Sequence, residues 1–169
     1  MNPINRLTTI KLAKEYTKFS AAHFTIFSAD NRERLHGHNF HVSAEIDAGV
    51  DDNGMCFNYS LFKDLLARCC EELDEYLLLP AQSPHLIITE EGENYRVVFN
   101  QQTMYFLRSD TLLLPIKNST VEEYSHYLLN RLLTLQPEFK EFDIRKIIIA
   151  VSSGPGQSGS SQWVLAGDA

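Results

Sequence analysis

The order of hydrophobic and polar positions divides the chain into strands and two helices. From Thr8 to His23 β-formers and small residues predominate, with Ile10, Leu12 and Ala13 opening a strand that Tyr16 to Phe24 continue. A second strand is expected from His38 to Ile46. The segment Ala48 to Gly54 is rich in Gly, Asp and Asn and ends in an Asn-Gly step, which predicts a hairpin returning through a short strand at Met55–Phe57. Leu61, Phe62, Leu65, Leu66, Cys69 and Leu73 recur at helical spacing, so a helix capped by Asn58 or Ser60 runs to about Leu73. Pro80 forbids its continuation. Short strands are expected at His85–Ile88, Tyr95–Phe99, Thr103–Leu107 and Thr111–Leu114, with hairpin tips at 91–93 and 100–102. Thr120-Val121-Glu122-Glu123 reads as a capping box, opening a helix through Tyr124, Leu128, Leu129, Leu132 and Leu133 that Pro137 ends. Ile144–Val151 is a last apolar strand. The Ser- and Gly-rich run from Ser152 to Ser161 reads as a pocket-shaping loop or a mobile connection before Gln162–Leu165.

Polar residues at strand parity supply the first chemistry. Successive strand side chains alternate faces with a rise of about 3.3 Å, so His36 and His38 share a face and can converge on one metal ion. Gly37 between them leaves room for another backbone to approach. His-x-His alone is weak, since six histidines in 169 residues give a chance count of about 0.2. His23, on the preceding strand, is the candidate third ligand, against the alternative of a satisfied, partly buried histidine. His41 has the opposite parity and is excluded. The polar loop Ser28–Arg34 delivers the chain into His36, the kind of segment that carries reactive groups on a rigid scaffold.

Composition narrows the classes. A chain of 169 residues suits one domain, and no apolar run approaches the roughly 20 residues of a membrane span. The first six residues lack the apolar core of a secretion signal, so a cytoplasmic protein is expected. A net charge of −7 argues against nucleic acid as a partner but allows a local basic pocket. Cys56, Cys69 and Cys70 form no C-x-x-C spacing and read as small apolar residues of a reduced compartment.

Phe19-Ser20-Ala21-Ala22-His23, His36-Gly37-His38-Asn39-Phe40, Gly54-Met55, Leu61-Phe62-Lys63, Leu73-Asp74 and Thr120-Val121-Glu122, in that order, resemble the 6-pyruvoyl-tetrahydropterin synthase family, which includes the 6-carboxytetrahydropterin synthases. The resemblance covers about Tyr16 to Val151, apart from a longer region between Pro80 and Pro115. It implies an α+β tunnelling fold, a four-stranded antiparallel sheet with two helices on one face. The domain would span 1–169 with a β-rich insertion at about 80–115. It also implies a homo-oligomer, trimer or hexamer, and Zn2+ held by His23, His36 and His38 with a fourth position open. The implied substrate is 7,8-dihydroneopterin triphosphate or a related dihydropterin, altered by side-chain elimination or cleavage, with the metal as Lewis acid beside a base.

Three departures from the family pattern bear on the chemistry. Where the family places a catalytic cysteine before His-Gly-His, this chain has Arg32-Glu33-Arg34-Leu35. That resembles a variant branch in which glutamate replaces the cysteine and the side chain is cleaved to 6-hydroxymethyl-7,8-dihydropterin. Glu33 is therefore the expected base, one whose pKa would need raising by burial to act near neutral pH, against the alternative of a solvated residue between two arginines. Asp74-Glu75 stands where the family has Asp-His, making the pair a candidate proton relay or a simple helix end. Ser152-Ser153 stands where the last strand usually supplies a pterin-anchoring glutamate, a loss of about 2–3 kcal/mol of binding. Thr120 and Glu122 are candidate substrate contacts, or else cap and first-turn residues. The competing readings are a zinc-bearing binding or assembly protein that has lost pterin chemistry, and a related reaction on another heterocycle.

Overall fold

The computed structural model describes residues 6–135 and 142–166. The residues Met1–Asn5 and Pro137, read above as the start of the chain and a helix stop, lie outside them.

The sheet is built around its longest strand. We number the strands β1 (Leu7–Leu12), β2 (Lys18–His23), β3 (His36–Gly49), β4 (Tyr76–Pro80), β5 (Ile87–Glu91), β6 (Asn94–Phe99), β7 (Gln102–Leu107), β8 (Thr111–Leu114), β9 (Ile144–Gly154) and β10 (Gln157–Val164). The helices are α1 (Ser60–Glu71) and α2 (Val121–Leu135). Along one edge of β3 lie β1 and then β2, both antiparallel to it. The single strand expected from Thr8 to His23 is thus two strands on one track, broken where Thr17 turns back to bond Lys14 and Val42. On the other edge β9 pairs antiparallel with β3, and β10 with β9. Beyond β2 the sheet continues through β4 and β8 in parallel, giving the order β10-β9-β3-β2-β4-β8. The four antiparallel strands β10-β9-β3-β2 form the expected core, extended by β1, β4 and β8.

Alternation decides which face the helices cover. Phe40, Val42, Ala44 and Ile46 of β3, Phe19 and Ala21 of β2, and Ile147, Ile149 and Val151 of β9 point to one side and are buried. Phe62, Leu65, Leu66 and Cys69 of α1 and Leu128, Leu129 and Leu132 of α2 meet them in one core. Burying such side chains stabilises by about 1.5–3 kcal/mol each. The helices are tied together by Arg131, whose Nε and Nη2 donate to both carboxylate oxygens of Glu72 at 2.7 and 2.8 Å. The start of α2 lies so close to β10 that a Cβ on Gly159 would sit 2.8 Å from the Glu122 nitrogen.

Between β4 and β8 the strands β5, β6 and β7 form a separate antiparallel sheet. Its tips carry Gly92, Asn100 and Gln101 at positive φ, as the expected hairpins require. Val97 and Phe99 from this sheet, with Phe24, Ile26, Leu77 and Leu79, make a second, smaller core.

Several expectations are corrected. Asn53-Gly54 starts no hairpin, and Met55–Phe57 is not a strand. The Asp51 carboxylate instead accepts from the Asn53 and Met55 amides and folds the chain toward α1. Neither cap candidate takes the cap position, which falls to Tyr59 with no side-chain cap bond; Asn58, one residue earlier, accepts from the Ser60 amide at 3.1 Å in the turn that enters the helix. Tyr76–Pro80 is a buried strand rather than a helix tail, and Pro80 closes it. The run Ser152–Ser161 is no loop: it is a hairpin turning at Gly156 (φ 85°). Among the described residues no helix is long and apolar enough to cross a membrane.

Candidate metal centre and pocket

The β2–β3 ladder brings the three histidines together. His23 pairs with His36 and Ala21 with His38, all on the inward face, just beyond the aromatic pair Phe19 and Phe40. One ring nitrogen from each of His23, His36 and His38 lies within 4.8 Å of the others, so the group could hold a metal ion. A tetrahedral zinc with Zn–N near 2.0–2.1 Å would set these separations at roughly 3.4 Å, within reach of small ring rotations.

Backbone carbonyls prepare two of the rings. His23 Nδ1 faces the Ser119 carbonyl at 3.1 Å and His36 Nδ1 the Arg34 carbonyl at 2.7 Å. A carbonyl only accepts, so each Nδ1 carries the proton and each Nε2 presents a lone pair. His23 Nε2 is buried with no hydrogen-bond partner in the described structure, and His36 Nε2 lies 3.0 Å from His38 Nε2. A buried acceptor without a donor costs about 1–3 kcal/mol, which a metal ligated there would remove. Burial lowers the His23 pKa, and the neighbouring His36 and His38 lower it further, outweighing the Ser119 bond. The ring stays neutral, as a ligand must. His41 faces the opposite side of the sheet, as its parity requires.

Beside the triad is a concavity of about 200 Å³ lined by His23, His38, Glu33, Thr120, Glu122 and Ser153, with Thr25, Ser119 and Gln157 among the remainder. Glu33 is its best-placed carboxylate. Its Oε2 lies 3.9 Å from His36 Nε2 and accepts from the Thr25 amide at 2.9 Å, while the Glu33 amide donates back to the Thr25 carbonyl at 2.9 Å. Burial pushes the carboxyl up, but the Thr25 hydrogen bonds and the nearby His36 and His23 outweigh it, leaving the pKa below its ordinary value. That is the opposite of the raising a base near neutral pH would need. The carboxylate is held ionised, ready to accept a proton. Thr120 Oγ1 accepts from the Glu123 amide at 3.4 Å, so Thr120 both caps α2 and lines the pocket. The capping box closes only halfway, because Glu123 Oε2 accepts from Lys117 rather than reaching back to Thr120.

Asp74 and Glu75 do not join this group. Asp74 Oδ1 accepts from the Ser20 amide at 2.6 Å, and the Glu75 amide donates to the Ser20 carbonyl at 2.7 Å, from a residue at φ 64°. The pair clips the end of α1 onto β2. Glu75 lines a neighbouring concavity of about 490 Å³ that touches His38 from the other side. Among the described residues nothing approaches Gly37 closely, the nearest neighbour for an added Cβ being the Ala21 carbonyl at 3.6 Å. Burial pushes the Cys69 and Cys70 thiols up to about 11 and about 12, so neither is a nucleophile in waiting.

Thr25, Ser119 and Gln157 were not singled out from the sequence. Ser119 acts through its carbonyl, which carries no side-chain signal, and Thr25 meets Glu33 only because the intervening hairpin closes.

Comparison with known proteins adds independent findings. The family model described as 6-pyruvoyl tetrahydropterin synthase matches residues 11–152. A Methanocaldococcus jannaschii protein provisionally named 6-carboxy-5,6,7,8-tetrahydropterin synthase is 24% identical over 142 residues, 83% of this chain and 86% of that one. The Plasmodium vivax 6-pyruvoyl tetrahydropterin synthase structure superposes with a TM-score of 0.90 at 28% identity, covering 95% of this chain and 99% of that one. The Plasmodium falciparum enzyme gives 0.90 at 29% identity, covering 95% and 100%. Two further Plasmodium vivax structures are described as catalytic-residue mutants, with a glutamate replaced by alanine in one and by cysteine in the other. Likeness over nearly the whole chain shows the tunnelling fold.

Proposed function

The chain belongs to the 6-pyruvoyl tetrahydropterin synthase family, and from that membership of pterin-metabolising enzymes we propose a zinc-dependent lyase acting on the side chain of a 7,8-dihydropterin. The substrate we assign is 7,8-dihydroneopterin triphosphate or a close relative, opened by elimination or carbon–carbon cleavage. The observation that carries the proposal is the ionised Glu33 carboxylate, 3.9 Å from a metal-competent histidine in the same concavity. When bound, a metal at His23, His36 and His38 would supply Lewis acidity toward the side-chain hydroxyls. The rest falls to the protein. Glu33, aimed by Thr25, takes the substrate proton, and the glutamate named as catalytic in the Plasmodium vivax variants supports a carboxylate in that role. Glu122 is the carboxylate left to meet the pterin edge, since β9 offers Ser153 there. Thr120 presents its hydroxyl beside it. Of the proposed relay, Asp74 serves the turn, and Glu75 remains available from the far side of His38.

We read the chain as one domain working in the cytoplasm as a homo-oligomer. The outer edges of β10 and β8 are unpaired among the described residues, which suits sheets joining edge to edge in a trimer or hexamer. Light scattering tests this, and a monomer would overturn it.

The deciding experiment is metal analysis followed by incubation with 7,8-dihydroneopterin triphosphate and product identification. Zinc near one per chain and product formation, lost about 100- to 10,000-fold in Glu33→Gln, are expected. A chain that binds zinc but leaves the pterin intact would favour the second reading, a family member that kept its metal and lost the reaction, which Ser153 in place of a carboxylate anchor supports.

A further inference from the structure

Glu33 sits at the end of a tight hairpin in which the Phe27 and Ser28 amides donate to the Asn31 carbonyl and Ile26 bridges Arg32. The two flanks of this hairpin are held differently. On one, Asn118 accepts from the Ile26 amide and donates to its carbonyl, tying the hairpin to the entrance of α2. On the other, the Arg32 guanidinium lies 4.8 Å from the Phe24 ring centroid and 5.6 Å from that of Phe99. Its Nη1 donates to the Glu33 carbonyl at 2.7 Å and its Nη2 to Met104 Sδ at 3.4 Å. No carboxylate pairs with Arg32 among the described residues, and its Nε is buried without a partner. A cation placed this way gives up hydration for two ring faces and a thioether, where an apolar side chain would pack at lower cost. What an apolar side chain could not do is hold the Glu33 carbonyl.

We propose that Arg32 is a positioning residue for Glu33, and that the three-stranded sheet β5–β7 serves the reaction by buttressing Arg32 through Phe99 and Met104. Glu33 is then pinned at three atoms: its amide and carboxylate by Thr25, its carbonyl by Arg32. Arg32 does not line the pocket, so it acts on the substrate only through its neighbour. The inference rests on Glu33 being the base.

Arg32→Met keeps much of the side-chain volume and removes the donors. With zinc-loaded protein and 7,8-dihydroneopterin triphosphate, kcat is expected to fall about 10- to 100-fold with KM within about threefold. In a Glu33→Gln background the same change should cost nothing further, because both act at one step. Amide exchange at Thr25 and Glu33 should quicken at least about tenfold while that of Phe40 to Ile46 is unchanged. An additive loss in the double variant, an effect confined to KM, or unaltered exchange at Thr25 and Glu33 overturns the proposal. Arg32→Lys, which keeps the cation and loses the planar fork, carries the same comparison if Arg32→Met does not fold. Should the wild-type protein show no turnover, the proposed function fails, and exchange at those two amides still decides whether Arg32 holds Glu33.

Discussion

Gly159→Ala would test how tightly the second helix is seated on the sheet. Gly159 lies in β10 opposite Val151, where the first turn of α2 crosses. An added Cβ would meet the Glu122 nitrogen and the Val121 carbonyl carbon at 2.8 Å and Val121 Cγ2 at 3.0 Å. Two of these are backbone atoms, so no side-chain rotation relieves the contact. Opening 2.8 Å to an ordinary 3.4 Å moves the helix start or the strand by about 0.6 Å. Overpacking of this kind costs about 1–3 kcal/mol, which in a chain of this length lowers Tm by roughly 2–12 °C. The same shift displaces Thr120 and Glu122 at the pocket, so turnover should fall while metal content, held by β2 and β3, is retained. Gly37→Ala is the contrast, since its Cβ would meet only the Ala21 carbonyl at 3.6 Å and should change Tm by less than about 2 °C. Thermal unfolding of the two variants side by side is the assay. Equal stability of Gly159→Ala and wild type would refute the reasoning, and so would Gly37→Ala being the worse of the two.

Other expectations follow from the same contacts. Zinc at a hundred times its dissociation constant should stabilise the chain by about 2.7 kcal/mol, raising Tm by roughly 5–10 °C, and a chelator should reverse this. His38→Ala should abolish that increment and His41→Ala should leave it; an undiminished increment without His38 would sink the ligand assignment. Asn118→Ala, which strips the bonds to Ile26 and Ser119, should cost about 1–3 kcal/mol in urea unfolding, and a loss well below that would mean Asn118 is not the clamp. Glu72 has its pKa lowered chiefly by its hydrogen bonds to Arg131, so its stabilising share is present above the ordinary carboxyl value of 4.5 and fades as pH falls through the lower folded value. The stability gap between wild type and Glu72→Gln should therefore narrow on acidification, and a gap that widens would contradict the pairing.

How far the sequence carries the fold depends on whether a segment's own side chains decide its state. The His36–His38 pair was legible because strand parity is local: the two share a face whatever else the chain does, whereas His23 joins them only through the β2–β3 pairing. Both helices were legible for the same reason, their apolar stripes being written at helical spacing. Tyr76–Pro80 was not, because a short apolar run beside a helix becomes a strand only when parallel partners lie on both sides. The Ser- and Gly-rich run after Ser152 reads as loop by composition, yet β9 supplies a ladder and α2 demands the small residue at Gly159. At the site, Glu33 was found by its place before the motif. The lowering of its pKa was not, since that comes from Thr25 and from histidines brought near only by folding.

The pairing of β2 with β3 also bears on how the chain finds its fold. Phe19 faces Phe40, Ala21 faces His38 and His23 faces His36, so core and ligands are set by one register. A slip of a single residue would turn every inward side chain of one strand to the opposite face. Such a chain would lose its aromatic pair and its three-nitrogen cluster together, leaving a metal nothing to grip. An ion bound at that cluster would therefore act as a check on strand alignment: only correctly threaded molecules could collect its stabilisation, and misthreaded ones would stay open to rearrangement.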